Sequence, residues 1–155
     1  MINSVEERYE ELRVRFGLPE YTWIDHEFEI FTLEEEKYLL RAIKDRIAQK
    51  IDDYVKIIED LLNFDSSSFS SIYETRTLTD PDKEKILKLH QKLMILLRKA
   101  LEISIDNNEI DIAAFIKDIA DRWDSFKPPL KDIARSLQIA WQTENFEEEK
   151  QQYMG

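Results

Sequence analysis

The stretch DPDKEKILKLHQKLMILLRKALEISID, residues 80–106, decides the fold. Asp80 offers a side-chain cap, and Pro81 a residue whose φ is already set for the first helical turn. Ile86, Leu89, Leu93, Leu96, Ala100 and Ile103 then recur at alternating steps of three and four, which is one buried stripe of a helix. Leu87, Met94, Leu97, Leu101 and Ile105 make a second stripe beside it, and residues 93–97 are apolar without a break. A helix apolar over so much of its circumference needs partners on more than one side. It therefore reads as the central helix of a bundle.

Upstream, Thr32 with Glu35 three residues on reads as a capping box that opens a helix over residues 33–63. Leu40, Ile43, Ile47, Ile51, Tyr54, Ile58 and Leu62 cover 22 positions in six steps, the period of a nearly straight helix. With residues 80–106 it makes a long antiparallel central pair. Nearer the N-terminus, Ser4 and Glu7 form another capping box, and Val5, Tyr9, Leu12 and Phe16 share a face of a helix over residues 5–16. Gly17 and Pro19 end it. After a turn at Asn107-Asn108, residues 109–124 carry Ile112, Phe115, Ile116, Ile119 and Trp123 at helical spacing. Pro128-Pro129 predicts a break before a last helix bearing Leu130, Ile133, Ala134, Leu137 and Trp141.

The expectation is an all-α, single-domain bundle of about five helices over residues 1–143. Residues 144–155, with four acids and one lysine, form an acidic tail that should fray. Residues 64–79 include a serine run around Phe69 and read as a mobile connection that Phe69, Ile72 and Tyr73 tether.

Composition excludes several function classes. Two glycines in 155 residues leave little for hairpin turns or phosphate loops, and no cysteine means no disulfide, thiolate nucleophile or zinc-thiolate site. The formal charge of −11, from 33 acids and 22 cations, disfavours direct binding of nucleic acid. No apolar run approaches a membrane span and the N-terminus lacks the pattern of a secretory signal, which points to the cytoplasm.

Residues 21–31 break the helical pattern, because Tyr21, Trp23, Ile24, Phe28, Ile30 and Phe31 crowd together without a 3.6-residue period. They read as an irregular lid over the core, with Glu27-Phe28-Glu29-Ile30 alternating as an extended strand would. Tyr21, Trp23, Phe28 and Phe31 are the candidates for docking a protein partner. The two histidines are His26, inside that segment, and His90, on the 80–106 helix beside apolar positions. His90 reads as a core-edge histidine bonded to a polar neighbour, or as a proton shuttle paired with a carboxylate from the 33–63 helix. Neither histidine has the Glu-x-x-His spacing of a di-iron bundle. Glu7/Glu10 and Asp118/Asp121 have the i, i+3 spacing by which helical pyrophosphohydrolases hold magnesium.

No residue is thereby assigned to catalysis or metal binding, and no cofactor is implied. The leading expectation is a noncatalytic interaction or scaffold module with a protein partner or a second copy of itself. The alternative is a metal-dependent helical hydrolase built on clustered carboxylates. The run Arg41-Ala-Ile-Lys-Asp-Arg-Ile-Ala-Gln-Lys50, then a loop, then Leu78-Thr-Asp-Pro-Asp-Lys-Glu-Lys85 opening a long helix, resembles the helical domain of GINS replication-complex subunits over about half the chain. Their small β domain has no counterpart, since residues after Ile105 read as helix. The resemblance implies a further alternative, a subunit of a replication assembly.

Overall fold

The computed structural model describes residues 4–62, 74–75 and 78–142, and the described residues contain five α-helices of eight residues or more. The serine run and the acidic tail 144–155 lie outside them. Helix α1, Val5–Phe16, has its predicted bounds. Ser4 Oγ accepts the Glu7 amide at 3.2 Å, and Gly17 closes the helix at φ 69°, donating its N–H to the Arg13 carbonyl at 2.8 Å.

The aromatic segment is helical, against the expectation of an irregular or extended connection. Helix α2 is Tyr21–Phe28, followed by a 3-10 turn at Ile30–Leu33. Ile24 and Phe28, four apart, point into the core, and the turn buries Ile30 and Leu33. Rings on the exposed side hid this period. The stop was equally hidden, because Glu29 takes the left-handed conformation at φ 54° that glycine usually supplies.

Helix α3 is Leu39–Leu62 and so begins later than the predicted residue 33. Thr32 does not cap it, because its hydroxyl donates to the Glu29 carbonyl at 2.8 Å and accepts from Arg46 at 2.9 Å. Helix α4 is Asp80–Asp106, capped by Thr79 and not by Asp80. Thr79 Oγ1 accepts the Asp82 amide at 3.2 Å, and the Asp82 carboxylate accepts the Thr79 amide at 3.0 Å. Asn107, at φ 53°, ends it.

Helix α5, Glu109–Trp141, runs through Pro128-Pro129 where a break was predicted. The prolines remove the two amide donors that would meet the carbonyls of Asp124 and Ser125, but both residues are exposed, where water can satisfy such oxygens. Apolar side chains on both sides of the prolines pack on one core, Trp123 and Phe126 before, Leu130 and Ile133 after. Tertiary packing keeps the helix continuous.

Lys44, near the start of α3, meets Ser104 and Asn107 at the end of α4, while Glu59, near the end of α3, meets His90 in the first half of α4. The two helices therefore run in opposite directions. Helix α5 packs on both, and α1, α2 and the 3-10 turn pack on α3. The core is continuous across them; Ile43, Ile47, Ile51 and Ile58 of α3 are wholly buried, each burial stabilising by about 1.5–3 kcal/mol. Lys44, only 2% exposed, interrupts this stripe. Its ammonium donates to Ser104 Oγ at 2.6 Å and Asn107 Oδ1 at 3.3 Å, with Asp45 at 3.4 Å, where the dipole of α4 is negative.

The two stripes of α4 part company. Ile86, Leu89, Leu93, Leu96 and Ala100 are buried, with Ile103 half-buried. On the second stripe Met94 and Leu97 are half-buried and Leu87, Leu101 and Ile105 are exposed. Neighbours cover α4 on its inner side alone among the described residues, so the envelopment predicted for it is incomplete.

Candidate functional site

The aromatic segment contributes more to the core than to the surface. Phe28 is buried, its ring centre 5.0 Å from that of Trp123, and Trp23 stands half-buried and edge-on to it at 6.1 Å. Tyr21 is half-buried against Tyr9, whose hydroxyl donates to the Pro19 carbonyl at 2.5 Å and is pushed well above its usual pKa, chiefly by burial. Of the four docking candidates only Phe31 is mostly exposed, at 54%. Its amide donates to Asp25 Oδ1 at 2.8 Å.

Beneath these rings lies a buried carboxylate that sequence reasoning passed over. Glu27 Oε2 accepts the Trp123 indole N–H at 3.0 Å, Oε1 accepts the Lys127 ammonium, and Lys50 donates to the Glu27 backbone carbonyl. Burial pushes the Glu27 carboxyl up, but the bonds from Lys127 and Trp123 and the charges of Lys127 and Lys50 outweigh it, so Glu27 lies below its ordinary pKa. Lys127 is raised, first by its bond to Glu27. Arg46 donates to the carbonyls of Phe28 and Glu29 at 3.0 and 3.2 Å, so cations of α3 satisfy the C-terminal end of α2. A cleft of about 280 Å³ opens here, lined by His26, Glu27, Arg46, Gln49, Lys50 and Asp53 among others. Because Glu27 is held ionised with both oxygens engaged, it is a clamp joining α2 to α5 and not a proton donor.

His90 Nε2 lies 3.2 Å from Glu59 Oε1 at the partly exposed edge between α3 and α4. His26 is exposed on α2. Glu10 is tied to Arg13 at 2.9 Å and Asp118 to Arg122 at 2.7 Å, each within its own helix. Among the described residues no group of three or more histidines and acids is placed to hold a metal ion. The run from Arg41 to Lys50 that carries the GINS resemblance is largely engaged within the molecule through Lys44, Arg46 and Lys50.

The outward face of α4 is different in kind. Leu87, Ile95, Leu101 and Ile105 are exposed there, at 46, 64, 58 and 77%. Between residues 83 and 99 stand six cations, Lys83, Lys85, Lys88, Lys92, Arg98 and Lys99, against the single acid Glu84, a local charge of +5 in a chain of −11. All six are exposed. Lys88 pairs with Glu84 at 3.3 Å, and the other five make no ion pair among the described residues. Ile95 has Lys92, Arg98 and Lys99 at three and four residues' distance, and so is ringed by positive charge.

The chain matches no protein-family model, no curated protein and no solved structure. Among the described residues no helix is long and apolar enough to cross a membrane. The excess of cations on α4 was countable in the sequence. What could not be read there was which of its two apolar stripes the bundle would leave uncovered.

Proposed function

We propose that this protein is a noncatalytic interaction module that docks a protein partner through the outward face of α4. The observation that carries this reading is the row of exposed apolar side chains Leu87, Leu101 and Ile105 along one face of a long helix, with Ile95 exposed about a quarter-turn round from Leu87. Single exposed apolar residues are ordinary, but a row along one helix marks an association surface. The rings of residues 21–31 contribute less, since Phe28 is buried and Tyr21 and Trp23 are half covered.

The test compares the wild type with the triple variant Leu87→Ser, Leu101→Ser, Ile105→Ser, using light scattering over a dilution series and affinity capture from cell extract. The wild type should give either a larger solution mass or a stoichiometric captured chain. The variant should lose that species while keeping its melting temperature within about 2 °C, as surface substitutions do. A species that survives in the variant, or a wild type that is a monomer and captures nothing, overturns the reading. A melting temperature that rises with magnesium or manganese would return the carboxylate alternative.

A further inference from the structure

We propose that the partner of the α4 face is an acidic, amphipathic protein segment whose apolar side chains seat on Leu87, Ile95 and Leu101 while its carboxylates meet Lys88, Lys92, Arg98 and Lys99. The inference rests on the interaction reading and names the chemistry of its partner. Charge is the first argument. Past the acidic first turn of α4, which carries Asp80 and Asp82, cations prevail, and Lys88 and Lys92 repel at four-residue spacing. An anionic partner relieves the repulsion.

Width is the second argument. Acids bound the basic strip on both sides: Asp132 faces the cleft that Lys85 lines, Asp111 the cleft that Lys99 lines, and Glu59 the edge beside His90. A nucleic-acid duplex or a flat anionic bilayer, each broader than the strip, meets these acids as well as the lysines. A single peptide segment fits between them. From Lys83 to Lys99 the helix is roughly 24 Å long, the span of about seven extended residues or about sixteen helical ones. A symmetric pairing of two α4 faces is disfavoured, because a two-fold axis near Ile95 sets Lys92 of one copy against Arg98 and Lys99 of the other.

The probe is a fluorescent sixteen-residue peptide with Leu and Phe at i, i+3, i+4 and i+7 spacing and Glu elsewhere, titrated against the full chain by anisotropy. Its controls are the same peptide with Lys in place of Glu, phosphatidylserine-containing vesicles and a single-stranded oligonucleotide. The acidic peptide should bind saturably and the basic one not at all. Lys92→Glu, Arg98→Glu, Lys99→Glu should weaken binding by at least about tenfold with the melting temperature retained, and Ile95→Ser should weaken it independently of salt. Equal binding to the charge-reversed variant, tighter binding of vesicles or oligonucleotide, or dimerisation through this face overturns the proposal. If the charge variant keeps the associated species that the Leu87→Ser, Leu101→Ser, Ile105→Ser variant loses, the acidic partner falls and the interaction reading stands. If neither variant loses it, both fall.

Discussion

Replacing Glu27 by leucine removes the acceptor of one buried donor, Trp123, and one partly exposed donor, Lys127, while leaving an apolar side chain of similar bulk. The Trp123 indole N–H, 3.0 Å from Glu27 and on a side chain 1% exposed, is left unpaired where water does not reach. That costs about 1–3 kcal/mol. Lys127, roughly a third exposed, turns toward solvent, so its lost pairing adds no more than about 1 kcal/mol after screening. Lys50 bonds the backbone carbonyl and is unaffected. The expected loss is about 2–3 kcal/mol, or roughly 5–10 °C in melting temperature for a domain of this size. Glu27→Gln keeps an oxygen for Trp123 and should lose only about 1 kcal/mol. Because the folded state lowers the Glu27 pKa, its contribution is complete above the ordinary carboxylate value near 4.3 and fades as pH falls through the lower folded value. The gap between wild type and Glu27→Gln should therefore be constant from neutral pH down to about 5 and narrow only as the pH falls below the ordinary carboxylate range. Thermal and urea unfolding followed by circular dichroism measure all three. A leucine variant within about 2 °C of wild type, or a glutamine variant as damaged as the leucine one, refutes the clamp.

Lys44→Ala should destabilise by about 2–3 kcal/mol in urea unfolding, because it leaves a cavity where the buried stem of Lys44 packs, whereas Lys44→Met should recover most of that loss by filling the space. Gly17→Ala should cost about 1 kcal/mol from its φ of 69° alone, since an added Cβ would meet nothing nearer than Lys117 Nζ at 3.8 Å, and Gly17→Asn should cost less in the same assay. Trp23→Ala should lower stability by about 2 kcal/mol through lost contact with Phe28, and an unchanged melting temperature would remove that ring from the core.

Where a boundary was written in local chemistry, it was legible. Ser4 and Gly17 delimit α1 by a hydroxyl cap and a left-handed glycine, and the Thr79–Asp82 box starts α4 one residue from where Asp80 had seemed to serve. Thr32 and Glu35 have the same pattern, yet the Thr32 hydroxyl goes to Glu29 and Arg46, which are brought to it by the fold. Glu29 ends α2 in a conformation no glycine announced, and Pro128-Pro129 sit inside a helix that packing holds together. The Glu27 clamp joins residues about 100 positions apart and has no local signature. Charge on α4 was there to be counted, but its exposure depends on which side α3 and α5 take.

The paired prolines also divide α5 on the timescale of amide exchange. A helix of 33 residues would ordinarily lose protection gradually from its end, but Pro128 and Pro129 carry no amide hydrogen and leave two carbonyls outside the hydrogen-bonded ladder. The part bearing Phe115, Ile119 and Trp123 is anchored by wholly buried side chains, whereas Leu130, Ile133 and Leu137 beyond the prolines are only half covered. Deuterium uptake should therefore rise in a step just past Pro129, with the terminal part of the helix opening as a unit while the part before the prolines exchanges only when the whole bundle unfolds.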